Sequence, residues 1–471
     1  MYNIILITVD CLRADHLSCF GYNRISTPNI DKLAEKGAIF YNAFSNGPYT
    51  TMSFPSIFTS TYPLMYPYIK ENNLFITDER TSFVDVLKRY GIRTAAFHSN
   101  PHLSGYFGYN KGFDLFEDHI SRASRSRARN ISVSNNLKKI GAKIKAKDTN
   151  LYKILKKGYD FIQKTNRDLG LYLKKDYPYI KAEVLNQEVL NYVSKNPKKF
   201  FVWIHYMDIH APYLPPQPLI NHIRNLHLQK RTIYKNKNKG DLKKISNRDI
   251  QHLVNLYDKG ISYIDHELGK LLKHLKNFDI HLDNTYIILT SDHGEEFMEH
   301  GDLGHLPKLY DDRLHIPLII AGPGLEKKKV KNQVSLINLA PSILDLIGAN
   351  NDTSFLGDSL IPLITLSPNK EDEDVISEYW FKDERGYSYR TKKWKCIITF
   401  NPFDIKKELY NLIIDPEEQI NIAEKNKSIT KKYFNLIKTH INMERKSFKT
   451  LTDKKRLKNR IKKLKTKNIS L

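Results

Sequence analysis

Cysteine is nearly missing from this chain: Cys11, Cys19 and Cys396 are the only three in 471 residues. They are too few for a disulfide framework, and no Cys-x-x-Cys pair points to structural zinc. No apolar run approaches the roughly 18 residues that a membrane span needs. No internal repeat is present, which excludes solenoids and propellers. Before the first apolar run, Tyr2 to Val9, there is neither the basic segment nor the cleavage site of a secretory leader. The expectation is therefore a cytoplasmic protein. Acidic residues are also in short supply, 51 Asp and Glu against 75 Lys and Arg, for a net charge of +24. Such an excess favours anionic partners, although no specific nucleic-acid motif accompanies it. What is abundant, 41% hydrophobic residues, excludes a disordered or fibrous chain. The length accommodates two or three domains, or one large α/β unit with an appendage.

Much of the positive charge falls in segments of low apolar content. One includes Arg122, Arg125, Arg127 and Arg129, and another is the tail from Lys449 to Lys467. A solvated surface explains such segments as readily as docking to a polyanion or an anionic membrane surface, and composition does not separate the two.

Short continuous apolar runs recur between turn signals: Ile4 to Val9, Thr94 to Phe97, Phe200 to Ile204, Tyr286 to Leu289 and Ile316 to Ile320. Runs without polar alternation mark strands covered on both faces, as in a parallel sheet. Amphipathic stretches lie between them at Ile30 to Lys36, Val84 to Tyr90, Val184 to Ser194 and Gln251 to Phe278. The alternation predicts an α/β fold, a doubly wound and mostly parallel sheet sandwiched by helices. From about Glu378 the texture changes to shorter strand-like pieces, Gly386 to Arg390 and Trp394 to Phe400, followed by a polar helix. The predicted organisation is a catalytic α/β domain over 1–375, with basic insertions near 120–181 and 223–247. A small α+β C-terminal subdomain over 376–445 and a basic tail over 446–471 complete it.

In open α/β sheets, ligands bind beyond the carboxyl ends of the strands. Four of the predicted strands deliver polar residues there: Asp10 after the first, His98-Ser99-Asn100 after Thr94 to Phe97, His205 to His210 after Phe200 to Ile204, and Asp292-His293-Gly294-Glu295 after Tyr286 to Leu289, with His300 and His305 beyond. Singly, each has an ordinary explanation: Asp10 as a helix or turn cap, His293 as part of a turn, His205 and Asp208 as structural supports. Together they form a convergent set. Asp10, Asp292 and His293 give two carboxylates and an imidazole, a hard-to-borderline divalent metal site with open positions. A nucleophile belongs at a helix N-terminus, where free backbone N–H groups favour an anionic ester. Gly47-Pro48-Tyr49-Thr50-Thr51-Met52-Ser53 leads into such a helix, with Thr50 or Ser53 serving either as nucleophile or as an ordinary N-cap.

These motifs resemble those of the sulfatases, members of the alkaline-phosphatase-like superfamily. The resemblance rests on Ile7-Thr8-Val9-Asp10-Cys11-Leu12-Arg13-Ala14-Asp15-His16, Thr27-Pro28-Asn29-Ile30, Trp203-Ile204-His205-Tyr206-Met207-Asp208-Ile209-His210-Ala211-Pro212, Ser291-Asp292-His293-Gly294-Glu295, His315-Ile316-Pro317-Leu318 and Glu408-Leu409-Tyr410-Asn411-Leu412. It implies an α/β fold with a small C-terminal subdomain, a divalent metal, and cleavage of sulfate or phosphate esters. The departures are as informative. The family's Cys or Ser, matured to formylglycine in a Cys-x-Pro-Ser-Arg element, aligns with Thr50; the rival register, Ser53-Phe54-Pro55-Ser56, breaks the downstream spacing. The second Asp of the usual pair is Cys11, and Lys308 stands where a later family lysine is expected. A Thr at this position is similar to the family's phosphoglycerol transferases, such as lipoteichoic acid synthases.

The resemblance and residues together predict a metal-dependent hydrolase or transferase acting on a small anionic ester. The metal is one divalent ion, Ca, Mn or Mg, held by Asp10, Thr50, Asp292 and His293, with no formylglycine. Thr50, His210, His305 and Lys308 are the expected catalytic residues. Thr lacks the second hydroxyl through which hydrated formylglycine expels sulfate, so phosphate mono- or diester chemistry is favoured. A true sulfuric ester hydrolase is the alternative within enzymes, and an inactive fold binding polyanions or membranes the alternative outside them.

Overall fold

The computed structural model describes residues 2–66, 69–70, 73–74, 76–119, 179–195, 199–216, 245–350, 352, 354–365 and 372–466, with side chains as far as 447. Most of both predicted basic insertions, 120–178 and 217–244, lies outside the described residues, as do the side chains of the basic tail. Among the described residues no helix is long and apolar enough to cross a membrane.

An eight-stranded sheet organises the chain. Its strands are β1 (Asn3–Val9), β2 (Gly37–Phe44), β3 (Arg93–Phe97), β4 (Leu115–Glu117), β5 (Phe200–Tyr206), β6 (Thr285–Ser291), β7 (His315–Ala321) and β8 (Lys328–Ser335). The spatial order is β8-β2-β7-β6-β1-β5-β3-β4. All run parallel except β7, which is antiparallel to both β2 and β6. The sheet is thus mostly parallel, as the apolar runs imply.

Side-chain alternation along the central strand explains why these runs lack polar residues. Ile4 and Leu6 of β1 pack with Phe54, Phe58, Phe83 and Leu344, from α2 (Thr50–Thr59), α3 (Phe83–Arg89) and a later helix, Leu339–Leu346. Ile5, Ile7 and Val9 point the other way, among Ile30, Leu185, Ile261 and Leu268. Those four belong to α1 (Pro28–Glu35), α4 (Ala182–Val193) and α5 (Asn247–Leu275). Both faces are covered, so every position in β1 is buried. Close packing extends to the backbone: a Cβ at Gly260 of α5 would stand 2.8 Å from Ile209 Cγ2.

Strands β2, β4 and β8 were not foreseen. In β8, Lys328-Lys329-Val330-Lys331 carries the polar residues that an edge strand tolerates, and no apolar run betrays it. The C-terminal part forms an antiparallel meander, β9 (Val375–Phe381), β10 (Glu384–Arg390), β11 (Trp394–Phe400) and β12 (Ile405–Asn411). The predicted pieces correspond to β10 and β11. The long helix Lys427–Thr466 packs Tyr433 and Ile437 against this sheet.

Register places the catalytic edge. Val9 of β1 lies level with Tyr206 of β5 and Ser291 of β6, so the residues after three adjacent strands emerge side by side. Asp208, in one of these loops, serves the fold: its carboxylate accepts the Ala182 N–H at the start of α4 at 3.1 and 3.3 Å. Burial pushes its pKa up to about 7. The folded carboxyl therefore keeps its proton where the unfolded one, with a pKa near 4, has lost it. The stability gained from the protonated form is complete below about pH 4 and is lost as the pH rises through about 7. Asp208→Asn, locked neutral, is expected to gain stability relative to the parent between about pH 5 and about pH 8. Urea denaturation at both pH values checks this, and a difference independent of pH would sink it.

Candidate active site

Asp10 is the centre of the site. It follows β1 directly and is wholly buried. Its Oδ2 accepts from Asn100 Nδ2 at 3.0 Å and from Thr50 Oγ1 at 3.3 Å, and lies 3.2 Å from His205 Nε2. Burial alone would raise its pKa. The His205 hydrogen bond is the leading influence that instead holds it well below the usual carboxylate range. Asp292, after β6, is equally buried but less well supported. Burial first, then the charge of Asp10, pushes it up to about 7.

Thr50 is the first residue of α2. The N-cap, Tyr49, offers no side-chain cap, and the Thr50 hydroxyl is turned instead toward Asp10 and toward His293 Nε2, 3.4 Å away. Ser53 is spent internally, donating to the Thr50 carbonyl at 3.2 Å. The loop before α2 is pinned from several sides. Ser45 Oγ donates to the Asp292 carbonyl at 2.5 Å. Asn46 Nδ2 donates to the Ile376 carbonyl at 2.8 Å, and the Asn46 carbonyl accepts the Glu378 N–H at 2.9 Å. The Tyr49 hydroxyl donates to the Trp380 carbonyl at 2.7 Å. Strand β9 of the C-terminal sheet thus fixes where Thr50 begins. The turn itself requires glycine: a Cβ at Gly47 would stand 2.4 Å from that of Met52.

Three histidines line up beside these groups. The ring centroid of His293 is 4.6 Å from that of His305, which is 5.1 Å from that of His210. Their surroundings set them apart. Burial, then the charge of His305, lowers His293 to about 4, so its ring is neutral, with Nδ1 2.8 Å from the Gly294 carbonyl. Burial opposes charge on His305 too, but Glu295, 3.2 Å from its Nδ1, raises it to about 9. Burial also lowers His210, whose Nδ1 lies 2.6 Å from the Ala211 carbonyl and 3.0 Å from the Tyr179 hydroxyl.

The residues fit a divalent metal. Asp292 Oδ2 is buried without a hydrogen-bond partner and lies 3.4 Å from His293 Nε2, which itself stands 3.8 Å from Asp10 Oδ1. An orphaned carboxylate oxygen facing a second carboxylate is costly unless a cation completes it. The Gly294 carbonyl fixes the ring so that Nε2 faces these oxygens, the usual outer support of a metal-ligating histidine. Donor atoms of Asp10, His205 and Asp292 all lie within 4.8 Å of one another, as do those of Asp10, Cys11 and His293.

Of the residues singled out in the sequence, the structure brings Asp10, Thr50, Asp292 and His293 together, with His305 and His210 adjoining. Lys308 is placed otherwise. It pairs with Asp302 and donates to the His300 carbonyl at 3.0 Å. Among the described residues no hydrogen bond or ion pair joins it to Thr50 or Asp10. Two contributors were undervalued in the sequence. Asn100 touches Asp10 directly, and His205, expected only to support structure, does so while its Nδ1 is held 2.8 Å from the Thr8 hydroxyl. Their positions at or just after the carboxyl ends of β5 and β3 were the available signal. Glu295 is the partner that charges His305.

Comparison with known proteins agrees with this arrangement. A family model described as "Sulfatase" matches residues 2–349, and one described as "N-sulphoglucosamine sulphohydrolase, C-terminal" matches residues 301–447. Arylsulfatase K of Canis lupus familiaris is 24% identical over 445 residues, 91% of this chain and 80% of that protein. Arylsulfatase K of Homo sapiens is likewise 24% identical over 445 residues, with the same coverage. Among solved structures, the phosphonate monoester hydrolase of Agrobacterium radiobacter superposes with a TM-score of 0.70 at 18% identity, covering 95% of this chain and 96% of that one. A protein solved with its substrate D-glucosamine-2-N,6-O-disulfate gives 0.67 at 18% identity, covering 94% and 98%. With a family match over most of its length, a mostly parallel sheet capped by a C-terminal antiparallel one, and its acidic and imidazole groups gathered at the strand ends, this chain belongs to the sulfatase family.

Proposed function

We propose that this sulfatase-family hydrolase cleaves phosphate mono- or diesters, or transfers their phosphoryl group, with Thr50 as nucleophile. The observation that carries the reading is the Thr50 hydroxyl at a helix start, left free of capping and turned to Asp10 and His293. Asp10, Thr50, Asp292 and His293 are the residues that would hold the metal. When bound, a divalent ion supplies Lewis-acid chemistry, easing loss of the Thr50 proton and offsetting the negative charge of the ester.

The chain's own groups divide the remaining work. Thr50 is oriented by Asp10, and the free N–H groups at the start of α2 favour an anionic ester there. His305, kept charged by Glu295, holds a proton for the departing oxygen. His210, neutral and with its Nδ1 held against the Ala211 carbonyl, presents the lone pair of Nε2 as a base rather than as a proton donor. Lys308 can balance charge on the substrate by exchanging Asp302 for it. A threonine that has accepted a phosphoryl group can release it by a second in-line displacement at the same site. The same step at a sulfated threonine lacks the second hydroxyl that formylglycine provides, which is why phosphate is favoured. The names of the relatives, arylsulfatase K, favour sulfate esters as the second reading.

Two experiments test this. Thr50→Ala is expected to lose about 10³-fold or more in kcat, while the parent, quenched during turnover, gains the mass of one phosphoryl group mapped to Thr50. Parallel assays with aryl phosphate, phosphodiester and aryl sulfate decide the substrate class, and turnover of the sulfate alone overturns the phosphate preference. Divalent ion near 100 times its Kd is expected to stabilise the folded protein by about 2.7 kcal/mol, seen as a rise in Tm that a chelator reverses. Asp292→Ala and Asp10→Ala should remove that rise, and its persistence in both would place the ion elsewhere.

A further inference from the structure

Cys11 is a buried thiol in an unusual setting. Thiols inside proteins generally pack as small apolar groups, yet this one stands among ionisable side chains. Its Sγ lies 2.7 Å from Asp10 Oδ1 and 3.5 Å from His305 Nδ1. Its backbone is left-handed, with φ at 63°, a conformation unfavourable for a residue with a Cβ. Two bonds hold it there: the Cys11 N–H donates to Asp292 Oδ1 at 3.3 Å, and its carbonyl accepts from the Tyr257 hydroxyl at 2.6 Å. Strain of this kind persists where the surroundings over-determine it, often at functional sites. Here its effect is to aim sulfur into the carboxylate and imidazole cluster. Donor atoms of Asp10, Cys11 and His293 lie within 4.8 Å of one another, and so do those of Cys11, His210 and His305. Sulfur therefore sits between the Asp10 and His293 pair and the two outer histidines.

Ca²⁺ and Mg²⁺ are hard ions that take oxygen donors, whereas thiolate and imidazole suit Zn²⁺ and its neighbours in the series. Bonds of about 2.0 Å to nitrogen or oxygen and about 2.3 Å to sulfur span donors spaced this way. We propose that Cys11 ligates the metal through sulfur, and that the site is built for a borderline divalent ion of the zinc class rather than for Ca²⁺ or Mg²⁺. This rests on the reading that Asp10, Asp292 and His293 hold the ion, and it departs from the Ca, Mn or Mg expected for an all-oxygen and imidazole set. Binding converts the Cys11 thiol to thiolate and releases its proton to solvent. The sulfur then occupies the place of the second carboxylate that the Asp pair of the resembling sequences would supply.

The test uses the full chain, stripped with a chelator and reloaded with Co²⁺ as a spectroscopic stand-in for Zn²⁺. The expected result is one bound Co²⁺ with a near-ultraviolet thiolate-to-cobalt charge-transfer band. The band should survive in the Cys19→Ser, Cys396→Ser double variant, where Cys11 is the remaining cysteine, and vanish in Cys11→Ser. Zn²⁺ affinity in Cys11→Ser should fall by at least the roughly 10–100-fold that loss of an outer-shell partner costs. Cys11→Asp, a residue at ease with positive φ, keeps the test open if the serine variant fails to fold: it should bind metal without the band and shift preference toward Ca²⁺. Cobalt bound in an Asp292-dependent way without the band overturns the sulfur ligand and leaves the metal reading standing. Cobalt binding indifferent to Asp10→Ala and Asp292→Ala overturns both.

Discussion

The site depends on keeping one carboxylate ionised where water cannot reach it. Asp10 is fully buried, and the cost of a bare anion there is several kcal/mol. Asn100 and Thr50 each donate to the same oxygen, Oδ2, and His205 Nε2 lies 3.2 Å from it. They come from the ends of two other strands and the start of a helix, so the convergence of the sheet is itself what solvates Asp10. Burial of the apolar run Ile4 to Ile7 on both faces holds β1 between its neighbours, and Asn3 adds hydrogen bonds to Thr285 Oγ1 and from the Phe200 N–H at the far end of the strand. Packing thus brings the strand ends level, and the level ends supply the hydrogen bonds that make a buried charge tolerable. Asp292 is left out of this arrangement. Among the described residues its Oδ2 has no hydrogen-bond partner, and burial with the charge of Asp10 disfavours its ionised form.

The C-terminal sheet contributes to the site without touching Asp10. Strand β9 ties down Ser45, Asn46 and Tyr49, and these residues determine where α2 begins. A second link runs through charge. Lys395 of β11 is wholly buried and pairs with Asp311 at 2.6 Å and Glu418 at 2.7 Å, while Arg390 of β10 reaches Asp311 at 3.0 Å. Asp311 sits just before β7, in the segment that carries His300 and His305 upstream. Buried pairs of this kind contribute less to stability than to uniqueness of geometry, because a wrong arrangement leaves an unpaired ion. The appendage is therefore a positioning device for two loops of the site, one leading to Thr50 and the other bearing the charged His305.

Much of this was legible in the sequence, for reasons that can be stated residue by residue. The apolar runs Ile4 to Val9 and Tyr286 to Leu289 announce strands covered on both faces, and such strands deliver the residues after them to one edge. Asp10, Asp292 and His293 were readable on that ground. Strands β2 and β8 were not, because β8 lies at the sheet edge and β2 mixes apolar with half-buried polar positions. His205, just after the apolar run Phe200 to Ile204, was read as a structural support; its Nε2 contact with Asp10 depends on β5 lying beside β1. Lys308 shows the converse. Its spacing from the Asp292-His293 motif resembles that of a family lysine, but nearby Asp302 captures it, and no linear motif records which acid a long flexible side chain will choose.

Three neutral-pH bases packed ring to ring would ordinarily blur into one shared proton. Here each histidine has a different second partner, and that difference sorts them. His293 faces a backbone carbonyl, a dipole too weak to offset burial, and remains unprotonated. His305 faces a full carboxylate, Glu295, and stays charged in spite of burial. His210, with a carbonyl and a phenol, falls nearer to His293. In the proposed reaction Thr50, with a single hydroxyl, needs this sorting more than formylglycine does, because its ester would be resolved by a second displacement rather than by internal collapse. The first displacement calls for a proton at the leaving oxygen, and the second for a base where that oxygen stood. A histidine that gives up its proton in the first step becomes the base required in the second, and Glu295 beside it restores the charge when the water's proton arrives. In the proposed reaction one imidazole and carboxylate pair therefore serves both halves, while the neutral His293 faces the carboxylates of Asp10 and Asp292.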